Sequence, residues 1–200
     1  MLSRRAGAWL LLAPVLLTVY SSPHERDFGD KAVESVTYRD PETGKPRTSL
    51  FAKGFGGRAV ECPTHPGIFG AAMEGSGWID PTLHEDDPGL SRLLKRGYVV
   101  LSLQEWDEKT GRALLTLSKV PMAADGKPLI HGLSAAGRPG NKRFPLGGRV
   151  QIRCPGAPPE VRLVHDECSS CETDDHLDLY EEREYDGKNL RRLCEVRPLP

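Results

Sequence analysis

The sequence lacks a strong net charge, an internal repeat and, beyond its first 22 residues, any long apolar run. Its 27 Lys and Arg residues are balanced by 28 Asp and Glu residues, so there is no electrostatic case for a nucleic-acid partner. No segment after the N-terminus approaches the roughly 20 apolar residues that a membrane-spanning helix needs. These absences leave a compact, non-repetitive protein of one domain, with or without a tail.

Glycine and proline are abundant instead, with 21 and 17 of the 200 residues, which favours short strands and many turns over long helices. The apolar runs are short and bounded by Gly, Pro and Asp, as strands are. In RVQIRC (149–154), Val150, Ile152 and Cys154 alternate with polar residues, the pattern of a half-buried strand. Only PGLSRLLKRG (88–97) predicts a clear helix. The sequence therefore predicts an all-β fold, a small closed barrel with one or two short helices.

The N-terminus has the pattern of a secretory signal peptide. Arg4 and Arg5 precede an apolar stretch from Ala6 to Tyr20, and small residues lead to a cleavage point after Ser21. An uncleaved anchor is the alternative, although about 15 apolar residues are short for a membrane span. We expect a signal peptide at 1–21, a polar leader or linker at 22–61, a barrel domain at 62–200, and a periplasmic or secreted location.

The cysteines follow the predicted signal peptide. In an oxidising compartment cysteines tend to pair, and an odd number leaves one over. The candidates for disulfides are Cys154, Cys168, Cys171 and Cys194, with the connectivity open, and the fifth cysteine is Cys62. Two alternatives remain for the CxxC loop: a zinc site and a redox-active pair. The zinc ligands would be His165, Cys168, Cys171 and His176.

Two aspartates flank that loop in HDECSSCETDDHLDLY (165–180). Asp166 ends one predicted strand, and Asp178 lies between Leu177 and Leu179 on the next, so it points away from the core that the leucines enter. Two carboxylates in one cleft raise the pKa of one of them and can keep an acid protonated near neutral pH. Glycosidic-bond cleavage requires such a pair. The alternative is that both aspartates only cap the loop.

An ordered set of short motifs resembles the three-aspartate (3D) domain of membrane-bound lytic transglycosylase A and its relatives. The matching segments are Glu74-Gly75-Ser76-Gly77, Gly126-Lys127-Pro128-Leu129, Pro145-Leu146-Gly147, Arg149-Val150-Gln151-Ile152, Asp166 and Leu177-Asp178-Leu179-Tyr180. The pattern V-x-D-x-C-x-x-C…H-L-D-L (164–179) is also similar to the related rare lipoprotein A and expansin-like barrels. The resemblance implies a six-stranded double-psi β-barrel.

The resemblance also implies roles for residues. Asp178 matches the catalytic acid/base and Asp166 its partner aspartate, while Glu74, Trp78 and His176 are expected to bind substrate. The chain departs from the pattern at Gly137, where a third aspartate is expected.

The function implied is that of an exported, cell-wall-active protein that cleaves or remodels peptidoglycan glycan strands, as a lytic transglycosylase does. The partner would be peptidoglycan or another β-1,4-linked polysaccharide. We expect a monomer that needs no cofactor and binds neither nucleic acid nor membrane beyond the signal peptide. The alternatives are a non-catalytic, expansin-like carbohydrate-binding module and a secreted, disulfide-stapled interaction domain.

Overall fold

The computed structural model describes residues 13–29, 31–57, 60–64, 67–107, 109–110, 112–168, 170–181 and 191–200. Within these residues the chain forms eleven β-strands and two short α-helices, which confirms the all-β prediction. The strands are β1 Val15–Tyr20, β2 Val33–Arg39, β3 Pro46–Ala52, β4 Ser76–Trp78, β5 Val100–Asp107, β6 Arg112–Ser118, β7 Ser134–Gly137, β8 Arg149–Arg153, β9 Glu160–Glu167, β10 His176–Tyr180 and β11 Arg192–Leu199. The α-helices are α1 Ala71–Glu74 and α2 Pro88–Lys95, and 3-10 helices span Glu25–Phe28 and Pro81–His84.

Six of the strands form a closed barrel in the order β1-β10-β7-β9-β8-β11. β1 runs parallel to β10 and antiparallel to β11, and β7 runs parallel to β9. The alternation predicted for 149–154 is present, because Val150 and Ile152 enter the barrel core and Cys154 packs against it. A closed six-stranded barrel is therefore confirmed, and its double-psi connectivity stays a prediction.

The other five strands form a separate sheet in the order β3-β2-β6-β5-β4. Its core is rich in aromatic and leucine side chains, including Tyr38, Phe51, Phe55, Leu90 and Leu93. The last two of these belong to α2, which begins where the Asp87 side chain accepts a hydrogen bond from the Leu90 backbone N at 2.9 Å. The predicted helix is thus present. It is followed by Gly97, whose φ of 88° suits the left-handed turn after a helix.

The structure arranges the N-terminal third differently from the predicted division of the chain. Residues 1–12 of the predicted signal peptide lie outside the described residues, but Val15–Tyr20 forms β1, in which Val15 is 0% and Leu17 3% exposed. Cleavage after Ser21 would remove this strand from the barrel. An apolar h-region and a barrel strand look alike locally, because both are short runs of apolar residues.

The predicted polar leader, 22–61, contains the hairpin of β2 and β3. Its polarity comes from its turns and its exposed face. In the connecting turn, the Asp40 carboxylate accepts hydrogen bonds from the backbone N of Glu42 and Thr43, and Gly44 adopts a φ of 68°. The barrel thus takes its first strand from the N-terminus and the other five from 134–199, with β2 to β6 inserted between them. Among the described residues, no helix combines the length and apolarity needed to cross a bilayer.

Candidate active site

The two predicted aspartates lie on the outer face of the barrel, on either side of β7. In β10, Leu177 and Leu179 enter the barrel core, so Asp178 faces the opposite way, as predicted. Ala136 of β7 is paired in register with Asp178 on one side and with Asp166 of β9 on the other. Two strand spacings separate the two aspartate backbones by about 10 Å.

A β-bulge turns Asp166 toward this face. Ala135 pairs with Val164, but the next residue, Ala136, pairs with Asp166, so His165 is an extra residue in β9. In a regular strand without the bulge, Asp166 would share the face of Val164, which lies in the barrel core. The bulge thus re-aims one side chain, a common use of bulges beside functional sites.

Asp178 is held from the neighbouring strand β1. Thr18 pairs with Asp178 in register, and its hydroxyl donates to the Asp178 carboxylate at 2.8 Å. The same hydroxyl lies 2.8 Å from Nε2 of His176. Because Thr18 has a single hydroxyl hydrogen, the imidazole Nε2–H must be the donor in that second contact. A chain of two hydrogen bonds therefore joins His176 to Asp178.

Asp166 is also held from β1 and, in addition, from a loop. The Tyr20 hydroxyl donates to one carboxylate oxygen at 2.7 Å, and the Ala124 backbone N donates to the other at 2.8 Å. Hydrogen bonds to the ionised form favour that form. With the Glu167 backbone N–H, Asp166 thus has three donors for its charge, whereas Asp178 has a hydroxyl donor on one oxygen.

The electrostatics of the two carboxyls differ accordingly. Burial, reinforced by the charge of Asp166, raises the pKa of Asp178 to about 6, while the Thr18 hydrogen bond opposes the rise. Burial also raises the pKa of Asp166, against the hydrogen bonds from Tyr20 and Ala124. A half-buried acid with a pKa of about 6 beside a second carboxylate can exchange a proton near neutral pH.

Glu74 is a third carboxyl that interacts electrostatically with Asp178. It ends α1, just before Gly75, which has a φ of 83°, and its carboxylate accepts a hydrogen bond from the Phe69 backbone N at 3.0 Å. Burial raises the pKa of Glu74 to about 7, and the charge of Asp178 contributes to the rise. Glu74 therefore interacts with the pair formed by Asp166 and Asp178. The third aspartate of the sequence pattern, expected at Gly137, is absent.

Buried hydroxyls fix the segment after Glu74 against the barrel. The Ser76 hydroxyl lies 2.7 Å from that of Ser22, which lies 3.2 Å from the Tyr180 hydroxyl. Trp78 follows on the same side of β4, half-buried and stacked on the His24 ring, with the two centroids 6.2 Å apart. The three carboxyls of Glu74, Asp166 and Asp178 therefore lie where the inserted sheet meets the barrel.

A side chain at Gly137, where the sequence pattern leads us to expect a third aspartate, would face the barrel interior rather than the two aspartates. A Cβ built on it would lie 3.5 Å from side-chain carbons of both Leu177 and Val164, which are core residues of the barrel. A carboxylate there would point into the barrel interior, where the Asn141 amide nitrogen, 3.6 Å from the added Cβ, is the polar neighbour. The residue of β7 that faces the carboxyls is Ala136, and that assignment required the register of three strands. His131, six residues before Gly137, lies instead at 2.9 Å from the Glu181 carboxylate.

The four cysteines predicted as disulfide candidates are all disulfide-bonded, and the structure gives the connectivity that the sequence left open. Cys154 joins Cys194 across β8 and β11, and Cys168 joins Cys171 within the loop after β9. Both loop sulfurs are consumed by their bond, so they are not thiolate ligands for zinc. Among the described residues, no cluster of three or more metal-ligating side chains is found. Cys62 is buried and outside both disulfides.

Sequence reasoning missed Thr18 and Tyr20, because both fall in the segment interpreted as a signal peptide. The signal that identifies them is the alternation in VLLTVY, where Val15 and Leu17 enter the barrel core and Thr18 and Tyr20 do not. It also missed the loop that carries Ala124, which has no distinctive motif.

No protein-family model matches this sequence, and no curated protein matches it. Solved structures do. A crystal structure of E. coli MltA with bound chitohexaose has a TM-score of 0.51 at 14% identity, covering 94% of this chain and 72% of that one. This chain has the MltA fold. A membrane-bound lytic murein transglycosylase from Agrobacterium tumefaciens gives 0.46 at 14% identity, with 93% and 74% covered. The lytic transglycosylase LtgG of Burkholderia pseudomallei gives 0.41 at 11% identity, with 94% and 73% covered.

Proposed function

We propose that this protein cleaves the β-1,4-linked glycan strands of peptidoglycan by acid/base catalysis at Asp178, as a lytic transglycosylase does. The observation that carries the proposal is the state of Asp178. It is a half-buried carboxyl with a pKa raised to about 6, next to a second carboxylate, on a fold shared with a protein crystallised with chitohexaose. Chitohexaose is itself a β-1,4-linked glycan, which supports a polysaccharide partner.

In the first step, protonated Asp178 gives its proton to the glycosidic oxygen, and the bond from that oxygen to the anomeric carbon breaks. Positive charge develops on the sugar. Asp166, whose carboxyl accepts hydrogen bonds from Tyr20 and Ala124, lies across β7 with its backbone about 10 Å from that of Asp178, and as a carboxylate it stabilises that charge through space. Its charge also adds to the rise in the pKa of Asp178 that burial causes, which suits a group that acts as an acid.

In the second step, Asp178 is a carboxylate and acts as a base. It removes a proton from a hydroxyl of the same sugar, whose oxygen closes onto the anomeric carbon to form the anhydro product. The proton returns to Asp178, so the acid is regenerated. Thr18 orients the carboxylate in this step, since its hydroxyl donates to the ionised form.

Glu74, Trp78 and His176 are proposed to bind the substrate. Trp78, half-buried at the edge of the inserted sheet, offers a ring face to a sugar. His176 lies behind Thr18 and also supports the catalytic acid through that hydroxyl.

We further propose a periplasmic or secreted location and a monomeric protein. Two disulfides support export, because disulfides persist in oxidising compartments.

The decisive experiment incubates the purified protein with peptidoglycan sacculi and reads the soluble products by mass spectrometry. The wild type should release anhydro-muropeptides, and Asp178→Asn should release none. Asp86→Asn, which changes an exposed carboxyl, is the matched control and should match the wild type. Sedimentation of the protein with the sacculi and no product would instead support the non-catalytic binding module. Neither binding nor product would support the interaction domain.

A further inference from the structure

The Cys168–Cys171 disulfide lies in the loop between Asp166 and Asp178 and packs on β7, the strand between them. The Cys168 backbone N donates to the Gly137 carbonyl at 2.8 Å, which fixes the start of the loop to the end of β7. Cys168 and Cys171 are 6% and 2% exposed, and they pack with Ala136 and against Tyr20. Since Ala136 lies in register between Asp166 and Asp178, the two sulfurs cover the backbone that separates the carboxyls.

One sulfur also borders the acid itself. Sγ of Cys168 lies 3.9 Å from Oδ2 of Asp178, while Oδ1 receives the Thr18 hydroxyl. A sulfur in a disulfide has no hydrogen, so it cannot donate to the carboxylate. The acid is thus bordered on this side by a buried sulfur that offers it no hydrogen bond, and the Ser170 hydroxyl lies 3.4 Å from that sulfur.

The loop disulfide contributes little to the stability of the fold by lowering the entropy of the unfolded chain. The entropic stabilisation of a disulfide grows with the length of the loop that it closes. Cys168 and Cys171 are separated by 3 positions, whereas Cys154 and Cys194 are separated by 40. The loop disulfide is therefore poorly suited to stabilise the whole fold. Its role follows instead from the residues that it contacts locally.

We propose that the Cys168–Cys171 disulfide is a positioning group that holds a dry, non-donating wall against Asp178, so that reduction of the bond switches the acid off. The inference rests on the proposed function of Asp178. Reduction by a dithiol breaks the S–S bond and forms two S–H bonds, while the dithiol loses two electrons and two protons and becomes a disulfide. The Cys168 thiol then stands within reach of Oδ2 with a hydrogen to donate.

The other groups that face Asp178 keep their chemistry in this change. They are Asp166 on β9, Glu74 on α1, Tyr20 on β1, and His176, which acts through Thr18. Burial is the largest cause of the raised pKa of Asp178. A wall that becomes wet and donating removes part of that cause, and a new donor favours the ionised form.

The test measures the pKa of Asp178 directly by carbon-13 NMR of its carboxyl group, so that it does not depend on glycan cleavage. Three variants separate the contributions. Cys168→Ser/Cys171→Ser replaces the wall with hydroxyl donors, Cys168→Val/Cys171→Val keeps it apolar without the bond, and Cys154→Ser/Cys194→Ser removes the other disulfide as a control. Dithiol-reduced wild type is measured beside them.

We expect the serine variant and the reduced protein to have an Asp178 pKa lower by a unit or more, and the valine variant and the control to stay near the oxidised wild type. One unit lowers the protonated fraction at pH 7 about tenfold. An unchanged serine variant would overturn the proposal, as would equal shifts in the serine and valine variants, which would assign the effect to the cross-link alone. If the pKa responds as expected but wild type digests no sacculi, the proposed function fails separately.

Discussion

Replacing Asp178 with asparagine should stabilise the protein at neutral pH. The native environment raises the pKa of this carboxyl from 3.8 to about 6, so the folded protein is penalised for carrying the charge that the unfolded chain carries freely. The asparagine side chain has nearly the same shape and no charge. Its carbonyl oxygen can still accept the Thr18 hydrogen bond that Asp178 accepts at 2.8 Å. A stabilising substitution of a proposed catalytic acid would identify a group kept for function at the expense of stability.

The magnitude follows from the pKa. A rise of about two units corresponds to about 3 kcal/mol of native-state penalty at pH 7. The asparagine amide would take the place of Oδ2, which lies against the Cys168 sulfur, and a buried donor with a weak acceptor costs about 1 kcal/mol. We therefore expect the free energy of unfolding to rise by about 2 kcal/mol at pH 7.5.

The sign of the pH dependence is fixed by the direction of the shift. Between the unfolded pKa of 3.8 and the folded pKa of about 6, the native state binds more protons than the unfolded chain, so wild-type stability falls as pH rises through this window. The advantage of the variant should be fully present above pH 6 and absent by about pH 4. Urea unfolding at both pH values, followed by tryptophan fluorescence, measures the difference, with the exposed-site variant Asp86→Asn expected to be neutral. A variant less stable than wild type at pH 7.5, with the same difference at pH 4, would mean that Asp178 is a satisfied structural anchor.

Three further predictions test the surroundings of the site. Thr18→Val removes the hydrogen bond that lowers the pKa of Asp178, so the loss of glycan cleavage at alkaline pH should move to higher pH; a pH–rate profile of anhydro-muropeptide release that does not move would contradict this. Cys154→Ala/Cys194→Ala opens a loop with a sequence separation of 40 and should lower the free energy of unfolding by about 4 kcal/mol in denaturant titrations, whereas a loss below about 1 kcal/mol would show that the bond constrains little. A chain that begins at Ser22 lacks β1, so the amides of β10 should lose their protection from hydrogen exchange; full protection would mean that the barrel closes without β1.

Local pattern was sufficient to predict the strands whose two faces differ. The Leu177-Asp178-Leu179 alternation placed Asp178 outside the core, and the same reasoning held for Val150 and Ile152 in β8. The local pattern was insufficient where the assignment of a segment as a strand depends on a partner far away in the chain. β1 is a short apolar run, and its sequence does not indicate which distant strand it pairs with. Its parallel partner is β10, and this pairing places Thr18 opposite Asp178.

The face of a residue was also beyond local reasoning where a bulge intervenes. Counting along β9 with a period of two puts Asp166 on the core side with Val164, and only the extra residue His165 reverses that. The same register decides that Ala136, rather than Gly137, looks toward the carboxyls. Motif spacing carries the approximate location of such residues but not the direction in which they point.

The pairing of β1 with β10 and β11 also sets the order in which a newly made chain can fold. β1 leaves the ribosome before the inserted strands, and its neighbours, which end at Tyr180 and Leu199, leave after them. The inserted strands find all their partners by Ser118 and can assemble while translation continues, whereas closing the barrel must wait, since distant contacts bear the full loop-closure entropy. Until β10 and β11 have been made, β1 is an apolar strand without its partners, and it is the strand that a chaperone would need to protect.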